Sequence, residues 1–357
     1  MMKVIAEAGV NHNGDAGLAF DLINAASESG ADVIKFQTFR TDKLVTDSTR
    51  CANYQITGDH DLASQKTLLS NLELPFATFE KLKLYCDDLK IEFMTTAFDS
   101  ESLRFVNNHL NLNTLKISSG DLTNAPFLLE HARTQKKILL STGLSNISEI
   151  RNALSVLAYG YLEDSKVPKS MIDLQSAFNS TCGQKILKEK VTLLHCNSAY
   201  PTPYSEVNLN AIESICKEFN LAVGFSDHSI GIAIPIASVA LGITVLEKHI
   251  TLDKTLAGPD HKVSLEPNEF KKMVEGIHQV YIALGNGEKV AMPAEKENSN
   301  SVRRTIVAET SITKGEVFSD KNLAIKRGPV NMSPYEYWRL LGSKSSRAYS
   351  SGDLIDE

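Results

Sequence analysis

The chain has 357 residues, about two domains at roughly 150 residues each, and its 42% hydrophobic and 22% charged composition excludes a disordered polymer. With 43 acidic against 37 basic side chains the net charge is −6, so no basic surface for coating nucleic acid is expected. The five cysteines (Cys51, Cys86, Cys182, Cys196 and Cys216) form no Cys-x-x-Cys pair, and no apolar run approaches the roughly 20 residues of a membrane helix. These features together read as a soluble, unprocessed, cytoplasmic protein with neither a membrane nor a nucleic-acid partner.

Eight short apolar, β-branched runs follow one another through residues 1–285: 4–8, 32–36, 91–95, 114–117, 138–140, 191–194, 222–225 and 244–246. Segments with helical spacing separate them, such as Leu18, Leu22, Ala25 and Ala26. Strands joined by helices imply a parallel sheet, and eight such units predict an α/β fold of the (β/α)8 TIM-barrel type. No Gly-x-Gly-x-x-Gly follows the first run, which weakens a dinucleotide-binding alternative. Two long connections interrupt the pattern. Residues 39–75 read as a functional lid or substrate wall, and residues 159–190 as an insertion decorating the surface. A polar stretch at 286–300 reads as a linker. The remaining 301–357 form a second domain too small to be more than marginal alone, with a strand-like piece at 305–308 and a Trp338, Leu340, Leu341 patch.

Reactive groups of such barrels sit at the C-terminal ends of the strands. Here those ends are polar throughout: Glu7, Asn11, His12 and Asn13; Lys35 and Gln37; Thr95 and Thr96; Lys116, Ser118, Ser119 and Asp121; Ser141 and Thr142; His195, Asn197 and Tyr200; Ser226, Asp227 and His228; Glu247, Lys248 and His249. Lys35 and Lys116 interrupt apolar strands, where an uncompensated ammonium is costly. They call for anions, either a small phosphorylated carboxylate also held by Thr96, Ser119, Ser141 and Ser226, or the internal partners Glu7 and Glu247. His228 and His249 end neighbouring strands and can share one ion, with water completing the shell of a weakly held Mn²⁺ or Mg²⁺. Two hydrogen-bonded rim histidines are the alternative. Asp227 and Glu247 beside them favour the metal or an acid/base role.

The segments Glu7-Ala-Gly-Val-Asn-His-Asn-Gly14, Lys35-Phe-Gln-Thr38, Lys116-Ile-Ser-Ser-Gly120, Leu140-Ser-Thr-Gly143, His195-Cys-Asn-Ser-Ala-Tyr-Pro-Thr-Pro203, Gly224-Phe-Ser-Asp-His-Ser229, Glu247-Lys-His249 and Gly258-Pro-Asp-His261 closely resemble the bacterial sialic acid synthase family, which includes legionaminate and pseudaminate synthases. The resemblance spans nearly the whole chain and implies a C-terminal antifreeze-like (SAF) module carrying Arg327. It implies condensation of phosphoenolpyruvate with N-acetylmannosamine and water to N-acetylneuraminate and phosphate, with a 2,4-diacetamido-6-deoxy hexose as the alternative acceptor. It further implies that Lys35, Thr96, Lys116, Ser119, Ser141 and Ser226 hold phosphoenolpyruvate, that Gln37, Asp121, Tyr200, Asp260 and Arg327 contact the amino sugar, and that His228 and His249 ligate a divalent metal polarising the sugar aldehyde. Lys35, Lys116, Asp121, His228 and His249 then form the catalytic set, and the C-terminal module caps the partner's barrel in a domain-swapped homodimer. Asp121 stands where the family usually has glutamate. Ser198-Ala199-Tyr200 is similar to the pseudaminate branch, whereas Gly258-Pro-Asp-His-Lys262 and Val207-Asn-Leu-Asn-Ala211 resemble the sialic and legionaminic branches, which are favoured. A non-catalytic binding protein built around the C-terminal module is a remote alternative, since the barrel-rim residues are all present.

Overall fold

A computed structural model describes residues 2–51 and 64–357. The chain divides into two compact units, residues 1–284 and 285–357. In the first, eight parallel strands close into a barrel in sequence order: β1 (Lys3–Gly9), β2 (Val33–Thr38), β3 (Glu92–Ala97), β4 (Thr114–Ile117), β5 (Lys137–Ser141), β6 (Val191–Cys196), β7 (Ala222–Asp227) and β8 (Val245–His249), with β8 returning to β1. Each apolar run falls on one strand to within a residue at its start. The hydrogen-bonded ladder continues past the end of several runs, pairing Cys196 with Ser226, Ser226 with Glu247 and Asp227 with Lys248. Polar residues can occupy those positions because pairing uses backbone groups and is indifferent to the side chain.

The two-residue period of a strand then sets the interior in layers. Ile5, Val33, Met94, Leu139, Leu194 and Val245 pack as an apolar plug inside the barrel. Two residues further along the same strands come Glu7, Lys35, Thr96, Ser141, Cys196 and Glu247, so the plug becomes the floor of a polar chamber. The outer faces pack on the helices, among them Ala16–Glu28, which buries Ala19, Leu22, Ile23 and Ala26 and is capped by Asp15 accepting from Gly17 and Leu18 amides.

The 159–190 insertion does not decorate the surface as expected. The helix Ile147–Leu162 enters it, and the helices Met171–Asn179 and Thr181–Lys190 follow, burying Leu174, Phe178 and Leu187 in the main core. Its polar composition belongs to the outward faces of amphipathic helices. Of the 39–75 connection, residues 52–63 lie outside the described residues; the flanking part contains the helix Gln65–Leu72.

In the second unit, β9 (Arg304–Ala308) pairs antiparallel with β10 (Leu323–Arg327) over a small core of Ile306, Phe318, Leu323, Leu340, Tyr349 and Ile355. Leu340 is buried, whereas Trp338 is 74% exposed. The segment expected as a linker, 286–300, runs into the helix Pro293–Val302, which crosses its expected end and is started by proline at its first turn and by Glu295 accepting from the Met292 amide.

Candidate active site

One cavity of about 750 Å³ opens at the C-terminal ends of the strands and is lined by Lys35, Gln37, Thr96, Lys116, Ser119, Asp121, Ser141, Tyr200, Ser226, His228, His249 and Asp260 together with Glu7, Cys196 and Glu247. A larger recess of about 910 Å³ lies at the opposite end, between Lys3, Glu92, Thr114 and Lys137. It holds none of the strand-end residues.

The floor is a four-residue ion cluster. Lys116 Nζ lies 2.9 Å from both carboxylate oxygens of Glu247, Lys35 Nζ is 2.8 Å from Glu7 and 3.5 Å from Glu247, and all four side chains are buried. Thr96 accepts from Lys35 at 3.2 Å, and Ser226 donates to Glu247 at 2.8 Å. Two ammonium and two carboxylate groups neutralise one another, so the lysines have the internal partners Glu7 and Glu247. The two carboxylates are not equivalent. Burial works against ionisation of both, but Lys116 and Lys35 outweigh it at Glu247 and hold its pKa well below the usual range. At Glu7 burial outweighs Lys35, and the pKa is raised.

Above the floor stand the histidines. Their rings lie 5.4 Å apart, centroid to centroid, with the Tyr200 ring 4.1 Å from His228. His228 Nδ1 lies 2.6 Å from the Asn197 carbonyl, which requires it to donate and leaves Nε2 as the ligating nitrogen. Burial and the neighbouring His228 push the His249 pKa well below its ordinary value, so its imidazole is neutral, and its buried Nδ1 has no hydrogen-bond partner, with Asp260 Oδ2 at 3.7 Å. The neutral His249 imidazole with its unsatisfied nitrogen fits a divalent cation, whereas at His228 burial is outweighed by Cys196 and the Asn197 carbonyl and the pKa is raised. No group of three or more His, Cys, Asp or Glu among the described residues could hold a metal, so the fit is to a loosely bound ion completed by water or substrate.

Asp260 is buried, and its pKa is pushed up to about 6 by burial and the nearby Glu7. Asp121 ends the single 3₁₀ turn Ser119–Asp121. Both its oxygens have local donors, Ser118 at 2.6 Å and Asn124 at 3.3 Å, while burial raises its pKa. Gln37 donates to Glu7 at 3.2 Å. Ser119 accepts the Gly143 amide at 3.1 Å.

Asp227 does not support the histidines. It lies one position before His228, on the opposite face of β7, where it forms a fully buried pair with Lys248 at 2.6 Å. His195 likewise turns away and bonds the Val207 carbonyl at 2.7 Å. Glu7, Glu247 and Cys196 belong to the chamber by the same alternation, two residues beyond the plug. Arg327 ends β10 in the second unit and is exposed. The rest of the lining includes an apolar stretch that residue type alone did not reveal: Leu44, Val45, Leu68, Leu69 and Phe98.

Fold and site define a (β/α)8-barrel protein with its chemistry gathered at the strand ends. The NeuB family profile matches residues 22–289, and the chain belongs to the NeuB family. It is 42% identical over 354 residues to an N,N'-diacetyllegionaminic acid synthase of Campylobacter jejuni, covering 99% of this chain and 98% of that one. Another N,N'-diacetyllegionaminic acid synthase, from Legionella pneumophila, is 38% identical, covering 99% and 92%. Among solved structures, an N-acetylneuraminic acid (sialic acid) synthetase from Leptospira borgpetersenii, crystallised with citrate, superposes with a TM-score of 0.67 at 30% identity, covering 84% of this chain and 92% of that one.

Proposed function

We propose that this protein is a phosphoenolpyruvate-dependent nonulosonate synthase whose acceptor is a 2,4-diacetamido-6-deoxy hexose and whose product is N,N'-diacetyllegionaminate. The observation that carries the reading is the convergence of the strand-end residues on one chamber in a chain that matches two legionaminic acid synthases over nearly its full length. The N-acetylneuraminate reading of the sequence gives way to its alternative, because identity to those two synthases exceeds the 30% shared with the sialic acid synthetase.

Phosphoenolpyruvate enters over Lys35 and Lys116, with the hydroxyls of Thr96, Ser119, Ser141 and Ser226 meeting its remaining oxygens. The lysines are pre-aligned by Glu7 and Glu247, so the anion adds charge to a neutral cluster. Glu7, with its raised pKa, is the carboxylate able to offset that charge by holding a proton, while Glu247 stays ionised between the lysines. Gln37, Asp121, Tyr200 and Asp260 face the opened sugar. Mn²⁺ or Mg²⁺ held by His228 and His249 would supply Lewis-acid polarisation of the aldehyde oxygen. The enol carbon C3 forms the new bond to the aldehyde carbon, water adds at C2, and phosphate leaves with the bridging oxygen. Orientation by a rigid floor is the main contribution of the chain. The partner subunit's Arg327 completes the sugar site in a swapped homodimer, and the Cys86, Cys182, Cys196 and Cys216 thiols suit a reducing cytoplasm. No helix among the described residues is long and apolar enough to cross a membrane.

Phosphate release from phosphoenolpyruvate, measured with each acceptor and with or without a chelator, tests the reading. Release should require the metal and favour the diacetamido sugar, and bridging-oxygen label should appear in phosphate. Turnover undiminished in chelator would remove the metal from the proposal. A preference for N-acetylmannosamine would overturn the acceptor.

A further inference from the structure

The chamber has two chemically different halves. Its floor is ionic and hydroxylic, whereas one side is a wall of Leu44, Val45, Leu68, Leu69 and Phe98, supplied by the connections after β2 and β3. Val10, Phe39 and Leu72 back this wall, each at most 5% exposed, and Leu44, Leu68, Leu69 and Phe98 pack against them. The spacing of Leu68, Leu69 and Leu72 puts them on one face of the helix Gln65–Leu72. That helix is anchored independently of the floor. Glu73, just beyond its end, accepts from the Thr41 amide and hydroxyl at 2.8 Å each and pairs with Arg40 at 3.0 Å. The wall is therefore a fixed surface, held by contacts that the ionic cluster does not share.

Phosphoenolpyruvate is charged at both ends and belongs on the lysines, which leaves the acceptor to meet the wall. We propose that this wall is the specificity determinant of the acceptor site, selecting a sugar by the methyl group at C6 and the methyl of its second acetamido group. This inference rests on the acceptor reading given above and names the residues behind it. N-acetylmannosamine would place its C6 hydroxyl against leucine and valine, where it loses water without gaining a partner. A 6-deoxy sugar presents carbon instead. Thr46, Thr49 and Gln65, from the same connection, also line the cavity and give the amide N–H and C=O of an acetamido group polar neighbours.

The test is the ratio of kcat/KM for the 2,4-diacetamido-6-deoxy hexose to that for N-acetylmannosamine, measured with the full-length protein at saturating phosphoenolpyruvate. Leu68→Asn and Val45→Thr place polar groups in the wall at nearly constant volume, and both side chains are only partly buried, so folding is preserved. Each variant should narrow the ratio about tenfold, the scale on which apolar pockets discriminate a methylene, while the KM for phosphoenolpyruvate stays at its starting value. An unchanged ratio in both variants, with the parent protein still preferring the deoxy sugar, would overturn the wall and leave the acceptor reading intact. A parent preference for N-acetylmannosamine would overturn the acceptor reading and this inference with it.

Discussion

Lys116 and Glu247 are separated by 131 residues yet Lys116 Nζ lies 2.9 Å from both carboxylate oxygens of Glu247 in a buried cluster of four charges. Such a pair is weak support for stability, because desolvation offsets most of the attraction, but removing one partner strands the other. Glu247→Gln should therefore lower the unfolding free energy by about 3 kcal/mol in a denaturant titration. Adding Lys116→Met should recover part of that loss, since Lys35 and Glu7 remain a neutral pair at 2.8 Å. A double variant less stable than Glu247→Gln alone would contradict a cluster held by charge balance. Retention of four ionised groups at a site where neutral packing would serve stability equally well fits a place where an external anion must bind.

At the scale of elements, the wall helix depends on the loop that follows β1. Gly14 has φ +76°, a left-handed conformation that suits glycine, and a Cβ built there would stand 2.2 Å from the backbone carbonyl oxygen of Asn71, near the end of the helix Gln65–Leu72. Gly14→Ala therefore adds backbone strain and pushes the helix away. It should destabilise the protein by more than about 1 kcal/mol. Hydrogen exchange should show faster opening of residues 65–72 than of β4 or β5, since only the former are displaced. Equal acceleration everywhere would mean that the contact does not anchor the helix. The fifth strand–helix connection shows a different use of an element: its extra helices extend the core around Ile147–Leu162, which explains why that long helix buries ten residues.

At the scale of the molecule, each unit has its own core, but the C-terminal core is small, a cluster of eight buried apolar side chains among the described residues. A module of that size gains from a larger surface to pack on. If the partner subunit's Arg327 completes each sugar site, Arg327→Ala and His228→Ala proteins should each be weak alone. Unfolding and co-refolding an equal mixture should return about a quarter of the wild-type sites, because about half the dimers are mixed and each carries one intact site. No gain on mixing would assign Arg327 to its own barrel.

The number and order of the strands, their closure and most of the strand-end residues were legible in the sequence, because each apolar run and the polar residue ending it are local features repeated eight times. The residues Lys35 and Lys116 announced themselves as cations in apolar surroundings. Their partners did not. Whether Glu247 serves the lysines or the histidines depends on the register of β7 and β8 and on closure of the barrel, which bring residues 116 and 247 together across the lumen. Asp227, adjacent to His228 in the chain, faces away because successive strand residues point to opposite sides, and its partner is Lys248. Leucines 44, 68 and 69 carry no chemical signature and become a site wall only where the folded connection turns them toward the chamber. The chain's composition and periodicity thus determined which groups are available at the rim, and the tertiary structure alone decided their pairings, since those are set by distances between strands far apart in sequence.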